Sequence, residues 1–328
     1  MNNNKISVGQ NKSFLSLKEF SRSEIELLVD FSIELKALKV KREYRYHLKN
    51  KNIALIFEKN STRTRCALEI ACFDEGANAI FLEKNAIQMG EKESVKDTAR
   101  VLGRMFDAIC FRGYKSETLN TLHKYSNIPV INALTDDEHP TQIIADFMTI
   151  KEHFGRLSGL KLVYVGDGRN NVANTLLIAG PKVALDVTIC SPKPLFPKDE
   201  LLDYSKNIAK SSGSFVEVTD SIDDALKGAS IVYTDVWVSM GEENRPEIKE
   251  RIEQLKPYQV NRELMNKANK ESIFLHCLPA THKDGIHFME VTEEVFEAPN
   301  SLVFEQAENR LHSIKSILVS TVGGVNHL

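Results

Sequence analysis

The chain has 328 residues, 42% of them hydrophobic and 27% charged, with 42 lysines and arginines against 45 aspartates and glutamates, for a net charge of -3. Taking roughly 150 residues per domain, this length predicts two domains, each able to bury an ordinary core. The charge balance excludes a general polyanion binder, which needs clustered positive charge. Nucleic acid is therefore not an expected partner, and any anion is expected to be small and held in one site.

No apolar stretch approaches the ~18 residues that cross a bilayer, so no membrane partner is expected. The five cysteines, Cys66, Cys72, Cys110, Cys190 and Cys277, form no CxxC pair. An odd, scattered set fits a reducing compartment better than a disulfide framework. The first ten residues are polar and lack the apolar core of a secretory signal. The expectation is a soluble cytoplasmic protein.

In chain order, Asn52 to Phe57 reads as a buried strand. Ser61 to Glu75 follows as a helix, with Ala67, Ile70 and Ala71 on one face and Gly76 suited to its C-terminal cap. Strands are predicted over 79–82, 108–111 and 129–132. Helices are predicted over 94–105, where Ser94 and Asp97 form a variant capping box, and over 118–125. A long helix runs from His139 to Phe154, with Pro140 in its first turn, where proline loses no hydrogen bond.

The pattern then restarts with a strand over 160–165 ending in Gly166-Asp167-Gly168. Further strands are predicted at 187–190, 215–218, 231–233 and 273–275, and helices at 172–178, 198–211, 222–227 and 305–322. Alternating strands and helices predict parallel sheets covered by helices, and two successive runs predict two such domains.

Three motifs carry chemistry in the first half. Phe57-Glu58-Lys59-Asn60-Ser61-Thr62-Arg63-Thr64-Arg65 joins a strand directly to a helix. A helix start leaves backbone N–H groups without intrahelical partners and carries partial positive charge. With three hydroxyls and two guanidinium groups added, the segment suits a small phosphate cradle built without a Walker sequence. The same residues also suit an ordinary N-cap with solvated arginines.

Arg112, in Cys110-Phe111-Arg112-Gly113-Tyr114, falls at the carboxyl end of another strand, where open α/β sheets collect ligands. An arginine there is also a common surface residue. His139-Pro140-Thr141-Gln142 follows a strand and an acidic loop, and His139 and Gln142 supply donors that can be aimed at a carbonyl. Alternatively, His139 caps the helix and Gln142 completes its first turn.

The order Ser61-Thr62-Arg63-Thr64-Arg65, Phe111-Arg112-Gly113, His139-Pro140-Thr141-Gln142 resembles the aspartate and ornithine carbamoyltransferase superfamily over nearly the whole chain. The resemblance implies that Ser61, Thr62, Arg63, Thr64 and Arg112 hold the phosphate of carbamoyl phosphate, and that His139 and Gln142 hold its carbamoyl end. Gln88, in Gln88-Met89-Gly90, matches a loop that in this family reaches a neighbouring subunit's site. Glu91 stands where the family usually has a histidine.

The second half bears on the acceptor. Asp235-Val236-Trp237-Val238-Ser239-Met240-Gly241 resembles the superfamily's ornithine signature. Aspartate-specific members should place basic residues there, and putrescine-specific members lack the Ser-Met-Gly form. The resemblance implies that Asn171, Asp235, Ser239 and Met240 bind the acceptor; on its own, Ser239-Met240-Gly241 suits a turn before an acidic loop. His276-Cys277-Leu278-Pro279-Ala280 follows a strand. Cys277 alone admits core packing, chemistry or metal ligation, the last weakened because only His282 stands near as a second ligand. The resemblance implies chemistry: Cys277 beside the attacking amine, and the Leu278 carbonyl on the carbamoyl nitrogen. Arg310, in a Glu308-Asn309-Arg310 segment expected to open the last helix, matches the remaining carbamoyl-phosphate contact. Arg63, Arg112, His139 and Cys277 are the implied catalytic residues.

Two other classes compete. A dinucleotide-binding oxidoreductase is supported by Gly166-Asp167-Gly168, but the full glycine pattern fails because residue 171 is Asn. A non-catalytic sensor of a phosphorylated metabolite needs the anion cradle but not the acceptor signature with Cys277.

The expected fold is α/β with two domains, each a mostly parallel sheet flanked by helices, joined by two long interdomain helices. A carbamoyl-phosphate domain is expected over 1–150 plus about 311–328, and an ornithine domain over 151–310. No cofactor or metal is expected, and the resemblance implies a homotrimer with shared sites; larger stacks of trimers are compatible with it.

Overall fold

The computed structural model describes residues 11–238, 242, 245–283 and 287–323. The chain forms two compact units, Met1–Met148 with Glu308–Leu328 and Thr149–Ala307.

The first unit opens with helix α1 (Arg22–Val40), absent from the sequence expectations. Its start is a full capping box: Ser21 accepts from the Glu24 N–H, and the Glu24 side chain returns to the Ser21 N–H. There follow β1 (Asn52–Phe57), α2 (Thr62–Asp74), β2 (Asn78–Glu83), α3 (Val95–Leu102), β3 (Ala108–Arg112), α4 (Ser116–Ser126), β4 (Val130–Leu134) and α5 (Pro140–Phe154). The four strands form one parallel sheet ordered β2-β1-β3-β4. The segment before α1 borders β4, with the Phe14 N–H on the Val130 carbonyl and the Asn132 N–H on the Phe14 carbonyl, both 2.8 Å.

Helix α2 turns Thr64, Ala67, Leu68, Ala71 and Cys72 inward. Ile70, expected on that face, is 43% exposed. At 100° per residue it falls on the outer side, with the exposed Cys66 and Phe73. Helix α3 ends at Leu102 with Gly103 as its cap, not at Met105, which is exposed. Of its capping box only half forms: Ser94 Oγ accepts from the Asp97 N–H, and the Asp97 carboxylate accepts from that same hydroxyl.

The second unit contains β5 (Lys161–Val165), α6 (Asn171–Ala179), β6 (Asp186–Cys190), α7 (Asp199–Ser212), β7 (Val216–Thr219), α8 (Ile222–Leu226), β8 (Ile231–Thr234), α9 (Ile248–Leu255), α10 (Arg262–Met265), β9 (Ile273–His276), the short antiparallel pair β10 (His282–Lys283) and β11 (His287–Phe288), and α11 (Glu293–Phe296). Its main sheet is parallel and ordered β7-β6-β5-β8-β9. Val163, Val165, Val232 and Phe274 from β5, β8 and β9 pack with Ala225, Leu226, Val260 and Phe296 into the core.

Helix α12 (Val303–Val322) begins two residues before the expected start, so Glu308, Asn309 and Arg310 occupy its second turn rather than its opening. The division between units falls inside α5 and inside α12, so both long helices continue from one unit into the other. Among the described residues no helix is long and apolar enough to cross a membrane.

Within the first unit, α12 is fixed by buried charge. Lys315, 2% exposed, reaches Asp74 Oδ2 at 3.3 Å and Glu75 Oε1 at 3.1 Å, and His47 Nδ1 meets Glu75 Oε2 at 2.7 Å. Burial pushes the Glu75 carboxyl up, but His47 and Lys315 outweigh it and hold it below the usual range. One turn before Lys315, His312 is buried. Burial, then the charges of Lys315, Lys36 and Lys39, push its pKa down to about 3.

Between that value and the ordinary histidine value near ~6.5, the unfolded chain binds a proton that the folded chain refuses. Stability therefore falls as pH drops below ~6.5, by about 1.4 kcal/mol per pH unit for each such histidine. Replacing His312 with Gln is expected to flatten the loss of thermal midpoint between pH 6.5 and 5. Parallel curves for the two proteins would show that His312 does not contribute.

Candidate active site

Loops at the carboxyl ends of a parallel sheet diverge where successive strands depart in opposite directions, and the crevice opens there. In the first unit that point lies between β1 and β3, because the chain leaves β1 toward β2 and returns to β3 on the other side. The loops that follow are 58–61 and 113–115. In the second unit it lies between β5 and β8, followed by 166–170 and by the segment that starts at Asp235. Ser61, Arg63 and Arg112, and Asp235, fall at these points, while His139 and Cys277 follow the neighbouring edge strands β4 and β9.

In the first unit Ser61 is the N-cap of α2, its Oγ accepting from the Thr64 N–H at 3.1 Å. Thr62 and Arg63 begin the helix, Thr62 exposed and Arg63 half-buried. The Thr64 hydroxyl accepts from Arg112 Nη1 at 3.4 Å. Arg310, from α12, donates to His139 Nε2 at 3.3 Å, to Thr141 Oγ1 at 3.3 Å and, through a short contact, to Gln142 Oε1. Gln142 Nε2 donates to the buried Asp146 at 2.8 Å.

Arginine only donates, so the His139 Nε2 lone pair is engaged and any ring proton resides on Nδ1. Burial is the largest cause that holds the His139 pKa well below its ordinary value; Arg310, Arg112, Arg63 and Lys59 add to it. The imidazole is therefore neutral, among four cations.

Gln88 and Glu91 lie outside this cluster. Both are exposed on the 88–93 turn, which closes through the Glu91 and Glu93 N–H groups on the Gln88 carbonyl at 3.1 Å each.

Gly113 is required by close approach. A Cβ there would run into Phe111 Cζ and Glu58 Oε2, well inside contact distance.

In the second unit Asp235 is 6% exposed at the end of β8. Its Oδ2 accepts from Asn170 Nδ2 at 3.0 Å, and its Oδ1 from Cys277 Sγ at 3.1 Å and from the Val236 N–H at 2.8 Å. Asn170, the N-cap of α6, thus makes the contact to Asp235 in this structure. The expected Asn171 is the first residue of the same helix and half-buried. Ser239 and Met240 lie outside the described residues.

Cys277 is half-buried, whereas Cys72, Cys110 and Cys190 are buried. Burial pushes the Cys72 and Cys190 thiols up to about 12, as inert core thiols should be. Leu278 has φ +59°, a left-handed conformation costly for a branched side chain. Its N–H donates to His276 Nδ1 at 2.9 Å, and His276 Nε2 faces Glu290 Oε1 at 3.0 Å. Glu290 also accepts from the Thr281 N–H at 2.8 Å. Both His276 and Glu290 are fully buried, and together they fix the turn that carries Cys277 and Leu278.

The donor atoms of Asp235, His276 and Cys277 lie within 4.8 Å of one another, which is ligand spacing for a metal. Both His276 nitrogens already bond to Leu278 and Glu290, and the Cys277 thiol bonds to Asp235. The set is a hydrogen-bonded one.

Sequence reading did not single out Asn170, His276, Glu290 or Arg251. Arg251, from α9, donates to Glu242 at 2.8 Å and lies 3.6 Å from Asp167, which in turn holds Arg169 at 2.9 Å. A helix-capping Asn directly after Gly-Asp-Gly-Arg was the one signal available for Asn170.

Fold and site define a two-unit parallel α/β protein with arginines clustered around a buried histidine in one unit and a carboxylate–thiol pair in the other. Residues 12–152 match the family model of the aspartate/ornithine carbamoyltransferase carbamoyl-P binding domain, and residues 158–321 that of the Asp/Orn binding domain. The chain is 53% identical to the catabolic ornithine carbamoyltransferase of Streptococcus agalactiae, over 97% of this chain and 98% of that one. Its fold is similar to the ornithine carbamoyltransferase structure from Pyrococcus furiosus, with TM-score 0.92, 39% identity and coverage of 98% and 99% of the two chains. For the anabolic enzyme of Campylobacter jejuni the TM-score is 0.85 at 40% identity, over 94% of this chain and 97% of that one. The chain belongs to the aspartate/ornithine carbamoyltransferase family.

Overpacking at a site such as Gly113 costs about 1–3 kcal/mol. Gly113→Ala is expected to lose that amount in a urea titration and to weaken binding of inorganic phosphate. Wild-type values for both would mean that the crowded 111–113 turn relaxes without consequence.

Proposed function

We propose that this protein transfers the carbamoyl group of carbamoyl phosphate to the side-chain amine of L-ornithine, giving L-citrulline and phosphate. The observation that carries this reading is the neutral His139 set among Arg63, Arg112, Arg310 and Lys59. Three arginines around a neutral imidazole, with Lys59 close by but already paired to Asp136, match a doubly charged phosphate next to a neutral carbonyl.

In this reading the phosphate rests on the start of α2, with the N–H groups and hydroxyls of Ser61 to Thr64, and on Arg63 and Arg112. The carbamoyl oxygen faces His139 and Arg310. Gln142 and the Leu278 carbonyl face the carbamoyl nitrogen.

The neutral ornithine amine attacks the carbamoyl carbon, and the carbonyl electrons move onto oxygen, where the cationic donors stabilise them. Collapse breaks the carbon–oxygen bond to phosphate, and the extra proton on nitrogen leaves with the departing group or to solvent. The same residues serve the reverse reaction in arginine catabolism.

Asp235 accepts from the α-ammonium of ornithine, and Asn171, Ser239 and Met240 complete the acceptor contacts. Cys277 donates to Asp235, which leaves a sulfur lone pair to accept a hydrogen bond from the attacking amine. An alkyl amine is mostly protonated near neutral pH, since its free pKa is near ~10.4. A partner that selects the neutral form therefore matters more than a cofactor.

We further propose a cytoplasmic homotrimer in which the exposed Gln88 reaches a neighbouring copy's site. Five free cysteines and the exposed 88–93 turn support this. A sedimentation experiment that finds an active monomer would refute the trimer.

Formation of the ureido product, measured colorimetrically with ornithine, putrescine and aspartate in parallel, tests the function. Ornithine is expected to be the acceptor; turnover only with another acceptor, or none at all, overturns the reading.

Two substitutions should then separate the half-sites. Arg63→Lys is expected to lower turnover by ~10²-fold, the scale of losing one positioned electrostatic donor. Asp235→Asn, by weakening a charge-assisted bond, is expected to raise the ornithine KM ~10-fold and leave the carbamoyl-phosphate KM nearly unchanged. The opposite split in KM values would show that the half-sites are interchanged.

A further inference from the structure

Glu58 places a carboxylate three residues before Ser61, beside an anion cradle, where simple electrostatics disfavours it. Its surroundings give it a different task. The Glu58 N–H donates to the Arg112 carbonyl at 2.8 Å, which extends the β1–β3 pairing by one residue. Its carboxylate then reaches across and accepts the Tyr114 N–H at 3.1 Å. Gly113, between those two contacts, donates its own N–H to the Leu134 carbonyl at 3.0 Å and has no room for a side chain because Glu58 Oε2 and the Phe111 ring fill that space.

The adjacent Lys59, 6% exposed, adds a second link on the same side. It pairs with Asp136 and lies 4.5 Å above the Tyr114 ring, while the Asp136 N–H donates to the Tyr114 carbonyl at 2.9 Å. The loops after β1, β3 and β4 are thereby joined through Glu58, Lys59 and Tyr114. The loops after β1 and β4 carry Ser61 and His139, and the loop after β3 follows directly on Arg112.

We infer that Glu58 is a positioning residue for the phosphate site: its carboxylate binds the Tyr114 N–H and so holds the Arg112 turn against the Ser61 turn. This rests on the phosphate reading above. The contact is one of reach and hydrogen-bond acceptance, not of charge. A glutamine carbonyl oxygen in the same place accepts the same N–H, whereas a shorter aspartate does not reach it.

Positioning and plain electrostatics predict opposite signs. If Glu58 acted only as a negative charge near an anion, its removal would tighten phosphate binding.

Inorganic phosphate is titrated calorimetrically into the full-length protein and its variants without ornithine, and thermal midpoints confirm folding. Glu58→Asp and Glu58→Ala are expected to weaken phosphate binding about 10-fold, the scale of one lost buried hydrogen bond. Glu58→Gln is expected to stay within about threefold of wild type. The Asp and Gln variants decide the matter even if Glu58→Ala fails to fold. Wild-type or tighter binding by Glu58→Asp, or binding by Glu58→Gln as weak as that of Glu58→Asp, overturns the inference. A wild-type protein that binds no phosphate and forms no citrulline would overturn the functional reading itself.

Discussion

The first unit is organised around the gathering of Arg63, Arg112, Arg310 and Lys59 about one buried imidazole. Cations crowded in a poorly hydrated site repel one another, and the fold holds them there with local devices. Arg112 leans on the Thr64 hydroxyl, Arg310 is caught between His139, Thr141 and Gln142, and Lys59 is paired with Asp136. Farther along α12, Lys315 enters a buried group with Asp74, Glu75 and His47, so the helix that delivers Arg310 is anchored by charge at a second point. Burial first, and then the same field, keep His139 neutral and able to act as a donor toward a carbonyl rather than as a further cation.

The second unit uses the same topological device for different chemistry. Its sheet also has a switch point, and there it presents acceptors rather than cations: Asp235, tied to Asn170 on one oxygen and to Cys277 on the other. The left-handed Leu278 stores local strain, and the buried His276–Glu290 pair counters it by holding that turn. The first unit largely coincides with the family's carbamoyl-P binding domain and the second with its Asp/Orn binding domain.

Much of this was legible in the sequence because the informative elements are local. A run of five apolar residues from Ile53 to Phe57, followed shortly by Ser61, fixes both β1 and the start of α2, and the N-cap bond is the one such a sequence makes. The strand ends that carry Arg112 and Asp235 were readable for the same reason. Side-chain facing was harder. Ile70 was expected on one face with Ala67 and Ala71, yet the buried face is centred on Thr64, Ala67, Leu68 and Ala71, which leaves Ile70 outside. Position within α12 was also hidden, because the helix begins at Val303, before any residue with a strong start signal. His276 and Glu290 depend on a pairing between distant segments that no local pattern announces, and Asn170 is marked locally only as a helix cap, not as the partner of Asp235.

The central claim, that a neutral histidine sits among permanent cations built for a dianion, is tested most directly by the pH dependence of phosphate affinity. With the site's own cations permanent and His139 neutral throughout, calorimetric titration of wild type with inorganic phosphate should show affinity rising with pH through the second ionisation of the ligand and then levelling. Affinity that instead falls as pH rises through ~6.5, the ordinary histidine value, would mean that the site needs an imidazolium, and would contradict the account.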